Sequence, residues 1–137
     1  MAGAIRKVSY FYVIVDDKPG EGLRLLTRLK DSGVNLIAFT AFPYGSGQSQ
    51  LDFFPESAEQ LIKAAGEEGI TLVGPKNAFL IQGEDRSGAL VEHHLKLSNA
   101  GINVHAANGV SDGSGGFGYV LWVKPEDYDK AAEALGV

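Results

Sequence analysis

The stretch V-D-D-K-P-G-E-G-L-R-L-L, residues 15–26, joins a strand pattern to a helix pattern through acids, a proline and two glycines. The run that leads into it, Val8–Val15, is rich in β-branched and aromatic residues and predicts a strand. The leucines that follow recur at helical spacing and predict an amphipathic helix over Gly20–Ser32. Gly33 comes next, where a glycine C-cap is expected. The stretch therefore predicts a strand-to-helix corner.

This corner occurs twice along the chain. D-K-P-G at Asp17–Gly20 is matched by D-R-S-G at Asp85–Gly88. At the same offset, which carries Asp17 onto Asp85, D-S-G-V-N-L at 31–36 falls on N-A-G-I-N-V at 99–104. Matching blocks in the same order indicate an internal duplication, which has to be recognised before a fold is predicted.

The second copy holds two extra residues. P-E-S-A-E at 55–59 matches P-E-D-Y-D at 125–129, which lies two positions further along than the offset of the corners predicts. We expect the insertion in the glycine-rich segment Gly113–Gly118, between the second and third strands of that copy. The segment fits G-x-G-x-x-G, but it precedes a strand instead of opening a helix. It therefore predicts a flexible hairpin loop and not a dinucleotide site.

Both copies follow the order strand, helix, strand, strand, helix, and the first copy adds a fourth strand. In the first copy the predicted strands are Val8–Val15, Asn35–Phe42, Gln50–Phe54 and Ile70–Val73, and the helices are Gly20–Ser32 and one that opens at Pro55–Ser57 and ends near Gly69. In the second copy the predicted strands are Ala78–Gln82, Asn103–Asn108 and Tyr119–Val123, and the helices are Ser87–Ala100 and Glu126–Leu135.

This order predicts an α+β fold of two ferredoxin-like βαββαβ units, each an antiparallel sheet with its helices on one face. The first unit spans 1–74 and the second 77–137, with a tight connection at Gly74–Asn77. The second unit lacks its last strand, so one edge is open and needs Ile70–Val73 or a partner chain to cover it. We favour a homodimer.

Composition limits the function classes. The chain has 137 residues, a net charge of −5 and no cysteine, which excludes disulfides, thiol chemistry and cysteine-based zinc sites. Its scattered basic residues argue against nucleic acid as a partner. No apolar run reaches the roughly 20 residues of a membrane-spanning helix, and the N-terminus does not resemble a signal peptide. We expect a cytoplasmic protein without membrane contact.

The sequence contains no persuasive catalytic or metal-binding pattern. His93 and His94 are adjacent on a predicted helix, so they do not form an i, i+4 metal pair. They match Leu25 and Leu26 of the first copy and are interpreted as ordinary helix positions, and His105 as a sheet position. No serine lies in a nucleophile elbow. We predict no enzyme activity, no cofactor and no metal.

The corner has two interpretations. A helix N-terminus presents unpaired N–H groups and a partial positive charge, which attract a carboxylate. Gly20, Gly22 and Gly88 would let a ligand approach the backbone, and Asp17 and Asp85 could accept hydrogen bonds from an ammonium group. That combination suits a zwitterion. Asp-x-Pro-Gly is also a good turn and helix start, so a pure folding role stays open.

The duplicated pattern resembles the ACT domain, a small regulatory module. The residues that carry the resemblance are Asp17–Gly20, the leucine-bearing helix and G-V-N-L at 33–36, and again Asp85–Leu90 and A-G-I-N-V at 100–104. The resemblance covers nearly the whole chain. It implies that an amino acid or another small ligand binds at interfaces between ACT units, where the corner of one unit meets the second strand of its neighbour.

The ligand-binding residues that this resemblance implies lie at the two corners and at the starts of the two second strands. They are Asp17, Pro19, Gly20, Glu21, Gly22, Leu23 and Asn35 in the first copy, and Asp85, Ser87, Gly88, Ala89, Leu90 and Asn103 in the second. The two asparagines also suit a structural role after a helix C-cap. Because the corners differ in sequence, one could bind while the other only folds.

We therefore predict a stand-alone tandem ACT protein that binds a small molecule, with an amino acid as the first candidate. It would act allosterically through ACT–ACT interfaces. One alternative is a ligand-free regulatory or assembly subunit that docks on a metabolic enzyme. Another is a small enzyme on a ferredoxin-like scaffold, because a fold does not dictate a function.

Overall fold

The computed structural model describes residues 4–137 as a mixed α+β fold. The strands are β1 (Ala4–Asp16), β2 (Leu36–Gly45), β3 (Gln48–Pro55), β4 (Val73–Glu84), β5 (Ala106–Ser111) and β6 (Gly116–Trp122). The helices are α1 (Glu21–Asp31), α2 (Ala58–Glu68), α3 (Val91–Asn99) and α4 (Tyr128–Leu135), with a 3-10 turn at Pro125–Asp127. Within residues 4–137, no helix has the length and apolar character needed to span a membrane.

The strands form a six-stranded sheet in the order β2-β3-β1-β4-β6-β5. The pairings of β1 with β3, β2 with β3, β4 with β6 and β5 with β6 are antiparallel. The α+β fold class predicted from the sequence is confirmed.

The first unit consists of residues 9–76. Its core is built by alternate residues of β1 and β3 together with one face of α1 and one face of α2, since successive strand residues point to opposite sides of a sheet. The buried members are Phe11, Val13, Val15, Leu25, Leu29, Leu51, Phe53, Leu61 and Ala64. Each large apolar side chain buried here stabilises the fold by about 1.5–3 kcal/mol.

The second unit consists of residues 77–137 together with residues 4–8. Its core repeats the arrangement with alternate residues of β4 and β6 against α3 and α4, and its largest buried members are Phe79, Ile81, Leu97, Tyr119, Leu121, Tyr128 and Leu135. Ile5 packs against this core. The Tyr128 hydroxyl donates to the Ala78 carbonyl at 2.9 Å, and its ring stacks on Phe79 at 4.6 Å.

Two long strands are divided between the units. Residues 4–8 of β1 belong to the second unit and the rest of β1 to the first, whereas β4 passes from the first unit to the second after Lys76. The expected range 1–74 placed all of β1 in the first unit, and its residues 1–3 lie outside the described part of the chain. Because β1 is the sheet neighbour of β4, the N-terminal segment occupies the place of the missing fourth strand. The homodimer stays a prediction, but an open edge of the second unit no longer supports it.

The predicted connection at Gly74–Asn77 is not a loop, because β4 continues through it. A Cβ atom at Gly74 would lie 2.9 Å from the Tyr10 carbonyl oxygen, so glycine permits a close approach to the backbone of β1. The short strand predicted at Ile70–Val73 is also wrong. Ile70 and Leu72 precede β4 and pack against the core of the first unit.

The two extra residues of the second copy do not lie in the glycine-rich loop. Asp16 pairs with Gln48 in the first unit, and Glu84 pairs with Gly116 in the second. Gln48 and Gly116 follow the hairpin turn of their unit, and they are still separated by the same offset as the two corners. The insertion therefore falls between β6 and α4, where the second copy forms the 3-10 turn Pro125–Asp127.

The helix starts also differ from the prediction. Pro55 is the last residue of β3, and Ser57 is the N-cap of α2, where its hydroxyl accepts the Gln60 N–H at 3.2 Å. A serine N-cap satisfies a first-turn N–H and thereby sets the start of the helix. Gly69 ends α2 with φ of 67°, as the sequence predicts.

Candidate functional site

Both predicted corners are held to the neighbouring hairpin by the same bond. The Asp17 N–H donates to the Gly47 carbonyl at 2.8 Å, and the Asp85 N–H donates to the Gly115 carbonyl at 2.9 Å. Donor and acceptor are displaced by the same offset from one copy to the other, so the duplication repeats the corner as a three-dimensional feature and not only as a sequence motif. Each corner thus has a fixed position beside a turn of its own sheet.

The first corner ends in a helix N-terminus without a side-chain cap. Gly20 is the N-cap residue of α1, with φ of 92°, and no side-chain hydrogen bond caps the helix. Pro19 lies in the turn before it, and a Cβ atom at Gly20 or Gly22 would meet nothing within 4 Å. Among the described residues, no backbone acceptor is assigned to the N–H groups of Gly22 and Leu23. These two N–H groups are donors available to an anion.

The charges at the first corner are divided between two acids with different surroundings. The Glu21 carboxylate is bound by the Arg24 guanidinium at 2.9 Å, and this hydrogen bond lowers the pKa of Glu21. The Asp17 carboxylate does not cap α1, since no side chain does. Glu21 is therefore paired with Arg24 within its own helix turn, whereas Asp17 does not cap the helix that follows it.

The second corner has a different helix start. Asp85 follows β4. Turns are formed by the next four residues after Arg86, which are Ser87, Gly88, Ala89 and Leu90. Helix α3 begins only at Val91, and not at Ser87 as predicted. The Val91 N–H donates to the Gly88 carbonyl at 3.0 Å, whereas its counterpart Leu23 has no such bond. The two corners therefore differ in which N–H groups of the first helical turn are bonded to the backbone.

The two predicted asparagines also have different environments. Asn35, directly before β2, donates from its side chain to the Glu56 carboxylate at 2.7 Å, and its carbonyl accepts the Glu56 N–H at 2.9 Å. This double contact ties the start of β2 to the start of α2. Asn103 lies three residues before β5 and lines an open cavity of about 450 Å3. Asn35 thus has a structural contact, and Asn103 is accessible to a ligand.

The cavity beside Asn103 contains residues that the sequence interpretation treated as ordinary helix positions. It is lined by His94, Ser98, Gly101, Ile102, Asn103 and Val104. His94 Nε2 lies 2.7 Å from the Tyr119 hydroxyl oxygen, and burial raises the pKa of Tyr119. The pair could have been found from the repeat. His94 aligns with Leu26 and Tyr119 with Leu51, so the second copy has polar residues where the first has apolar ones.

The neighbouring histidine is not part of this cavity. Burial lowers the pKa of His93, and its Nδ1 atom is buried without a hydrogen-bond partner among the described residues. His93 matches Leu25 of the first core, which accounts for its apolar surroundings. Over residues 4–137, no group of three or more histidine or acidic side chains is arranged to hold a metal ion.

The glycine-rich segment 113–118 closes the β5–β6 hairpin in an ordered manner. The Asp112 carboxylate accepts the N–H groups of Ser114 at 2.6 Å and Gly116 at 3.0 Å. These bonds lower the pKa of Asp112. The segment thus acts as a hairpin turn closed by an aspartate side chain.

Comparison with known proteins gives solved structures but no family or curated relative. No family model matches the sequence, and no curated protein matches it. Protein BT0572 from Bacteroides thetaiotaomicron is similar with a TM-score of 0.81 at 16% identity, over 96% of this chain and 88% of that one. The regulatory subunit of aspartate kinase from Thermus thermophilus is similar with a TM-score of 0.66 at 15% identity, over 99% of this chain and 95% of that one.

A further similar structure is that of the aspartokinase alpha and beta subunits, with a TM-score of 0.64 at 15% identity, over 100% of this chain and 99% of that one. Identities this low support a shared fold only. Taken with the two repeated units and their antiparallel strand pairings, these similarities show that the chain shares the ferredoxin-like α+β fold of these structures.

Proposed function

We propose that this protein is a regulatory protein that binds a small zwitterion, an amino acid, at the first corner. The observation that supports the proposal most directly is the uncapped N-terminus of α1 beside Asp17. A helix N-terminus with free N–H groups and a partial positive charge binds a carboxylate. The N–H groups of Gly22 and Leu23 fill that role, and the open space at Gly20 and Gly22 gives the ligand access.

The other end of the ligand meets a negative charge. Asp17 precedes the helix by one turn of chain, and its carboxylate can accept charge-assisted hydrogen bonds from an ammonium group. The side chain of Leu23, 72% exposed, offers an apolar surface next to the carboxylate position. A ligand that combines a carboxylate, an ammonium group and an apolar group is an α-amino acid with an apolar side chain.

The similar structures support a regulatory role for such a site. Two of them are a regulatory subunit of aspartate kinase and the alpha and beta subunits of aspartokinase. By analogy of fold, we propose that ligand binding changes the assembly of this protein or its contact with an enzyme. A ligand does so only to the extent that it binds one state more tightly than the other.

The experiment is thermal unfolding of the purified protein against each of the twenty amino acids at millimolar concentration. A ligand of the folded state raises the apparent stability by RT ln(1 + [L]/Kd), so a Kd of about 0.1 mM gives a visible shift in Tm. We expect one or two chemically related amino acids to raise the Tm, and we expect Asp17→Asn to abolish the shift while Asp85→Asn retains it.

A matched pair of variants tests the backbone donors. Gly22→Pro removes the N–H at a position in the first helical turn where proline is tolerated, and Gly22→Ala keeps the N–H and adds a methyl group in open space. We expect the proline variant to lose the Tm shift and the alanine variant to keep it. Binding that survives Gly22→Pro would contradict the assignment of the carboxylate to α1.

A second candidate function is a subunit that docks on a metabolic enzyme without a ligand. It is favoured by the edge strand β2, where Phe42 and Tyr44 are 43% and 57% exposed. The same strand is the candidate surface for the predicted homodimer. Absence of any ligand-induced Tm shift, together with a defined enzyme that copurifies and is released by Phe42→Ser, would favour docking. Light scattering that gives a monomer would contradict the homodimer.

A further inference from the structure

We propose that the second unit carries a separate binding site for a carboxylate that bears a compact apolar group, in the cavity lined by His94, Ser98 and Asn103. The proposal does not depend on an amino acid binding at the first corner. It concerns a different unit and different residues.

All three polar side chains of the cavity can donate a hydrogen bond. His94 and Ser98 are four residues apart on α3 and so lie on one helix face. Asn103 follows the end of that helix, and the remaining lining residues, Gly101, Ile102 and Val104, carry no charge. No carboxylate is among the lining residues, so an anion would meet donors without repulsion.

The contact between His94 and Tyr119 engages one of the two ring nitrogens of His94. A tyrosine hydroxyl keeps its proton at neutral pH, so the Tyr119 hydroxyl can donate to His94 Nε2 across the 2.7 Å contact. In the tautomer that accepts this hydrogen bond at Nε2, the ring carries its proton on Nδ1. No described residue accepts a hydrogen bond from Nδ1. This N–H is therefore a donor without a protein partner.

The first unit shows that the fold itself does not need the pair His94 and Tyr119. The counterparts of His94 and Tyr119 are Leu26 and Leu51, and both pack in or against the first core. The counterpart of Ser98 is Lys30. Polar groups introduced into an apolar layer carry a desolvation cost. Packing therefore does not require the pair His94 and Tyr119, and His94 lines the cavity.

The apolar part of the ligand follows from the remaining wall. Ile102 and Val104 present aliphatic carbons beside the three donors. A cavity of about 450 Å3 that is open to solvent is large enough for a short branched acid. The lining has no acid to bind an ammonium group, so an α-amino group is not required.

The test is a titration of the full chain with sodium isobutyrate, with isobutylamine hydrochloride at the same ionic strength as a cation of similar shape. NMR of the Asn103 side-chain amide and the His94 imidazole reports on the cavity. We expect saturable shifts with isobutyrate in the millimolar range and none with isobutylamine. The double variant His94→Leu/Tyr119→Leu restores the residues of the first unit and should weaken binding by at least about tenfold, equivalent to about 1.4 kcal/mol.

Ser98→Ala removes a single exposed hydroxyl and should weaken isobutyrate binding by about tenfold, the loss expected for one hydrogen bond to a charged group. Asp17→Asn, at the first corner, should leave isobutyrate binding unchanged. The proposal is overturned if isobutyrate causes no saturable shift, if isobutylamine binds equally well, or if Asp17→Asn weakens binding. If the double variant does not fold, an unchanged affinity in Ser98→Ala also overturns it.

Discussion

The third strand of the first unit carries a buried acid where that of the second unit carries a valine. Asp52 in β3 is 2% exposed and accepts hydrogen bonds from Gln50 at 2.8 Å and Thr40 at 3.2 Å, whereas its counterpart in β6 is Val120. On the opposite face of the same two strands the order is reversed, with Leu51 in the first unit and Tyr119 in the second. Each third strand thus carries one polar side chain where the other unit has an apolar one. The two positions lie on opposite faces of the strand.

This comparison shows which parts of the duplicated fold are constrained. The hairpin register and the anchoring of the corner are repeated at the same offset, so backbone hydrogen bonds are the constrained part. Side chains on the strands are free to differ as long as each polar group finds a partner. The differences between the units are therefore confined to side chains, on a backbone that is repeated.

The largest expected effect comes from the aromatic core. Phe79→Ala should lower the free energy of unfolding by about 3–5 kcal/mol, because it opens a cavity in a closed core. Phe79 also stacks on Tyr128 at 4.6 Å, while its counterpart Phe11 has Ala58 at the matching helix position. The free energy of unfolding should therefore fall less for Phe11→Ala than for Phe79→Ala. The expected difference is about 1 kcal/mol, the energy of an aromatic pair. Equal losses in urea denaturation would show that the stacking does not contribute.

The second effect concerns Asp52. Burial raises its pKa above the ordinary value of 3.8, so the folded chain holds this proton more tightly than the unfolded chain. The stability contributed by Asp52 is then full below pH 3.8 and is lost as the pH rises through the raised pKa. The loss amounts to about 1.4 kcal/mol for each unit of elevation.

The variant Asp52→Asn cannot lose this proton and keeps an acceptor for Gln50 and a donor for the Thr40 hydroxyl. Its stability relative to the wild type should therefore increase between pH 4 and pH 8. Urea denaturation at a series of pH values measures the difference. A difference that is independent of pH would show that Asp52 has the same pKa in the folded and unfolded chain.

The third effect is the loss of the hydrogen bond at position 119. Tyr119→Phe keeps the ring and removes the hydroxyl that contacts His94 at 2.7 Å. We expect a loss of about 1 kcal/mol, the net value of one hydrogen bond. In the variant His94→Leu the same tyrosine substitution should cost clearly less, because the partner is already absent. A double-mutant cycle without coupling would mean that the contact contributes no stability.

The smallest effect comes from the surface of the helices. Glu92 and Lys96 form an i, i+4 ion pair at 3.3 Å on α3, where α1 has Arg24 and Arg28 at the matching positions. Glu92→Gln should lower the free energy of unfolding by about 0.3 kcal/mol at low salt. The difference should disappear at high salt because screening removes it. A loss that persists in high salt would show that the interaction is not ionic.

The internal duplication made most of the fold predictable from the sequence. The predicted ends of helices and strands were wrong where contacts with residues far along the chain, or extra turns, determine them. The helix expected from Ser87 begins only at Val91, because the second corner forms extra turns first. Pro55 suits both a helix start and a strand end, and pairing with Leu36 in β2 keeps it in the strand. The candidate corners could be identified from sequence. The difference in their backbone hydrogen bonds could not, since it depends on the turn geometry of each corner.

The sequence by itself determined the duplication, the α+β class and the positions of the corners, because periodicity, glycine and proline act over a few neighbouring residues. Only the tertiary structure decided that residues 4–8 complete the second unit and that β4 serves both units, because strand partners are chosen by contacts far apart in the chain. The same reason applies to the pair His94 and Tyr119, which are 25 residues apart and meet only when α3 packs on the sheet.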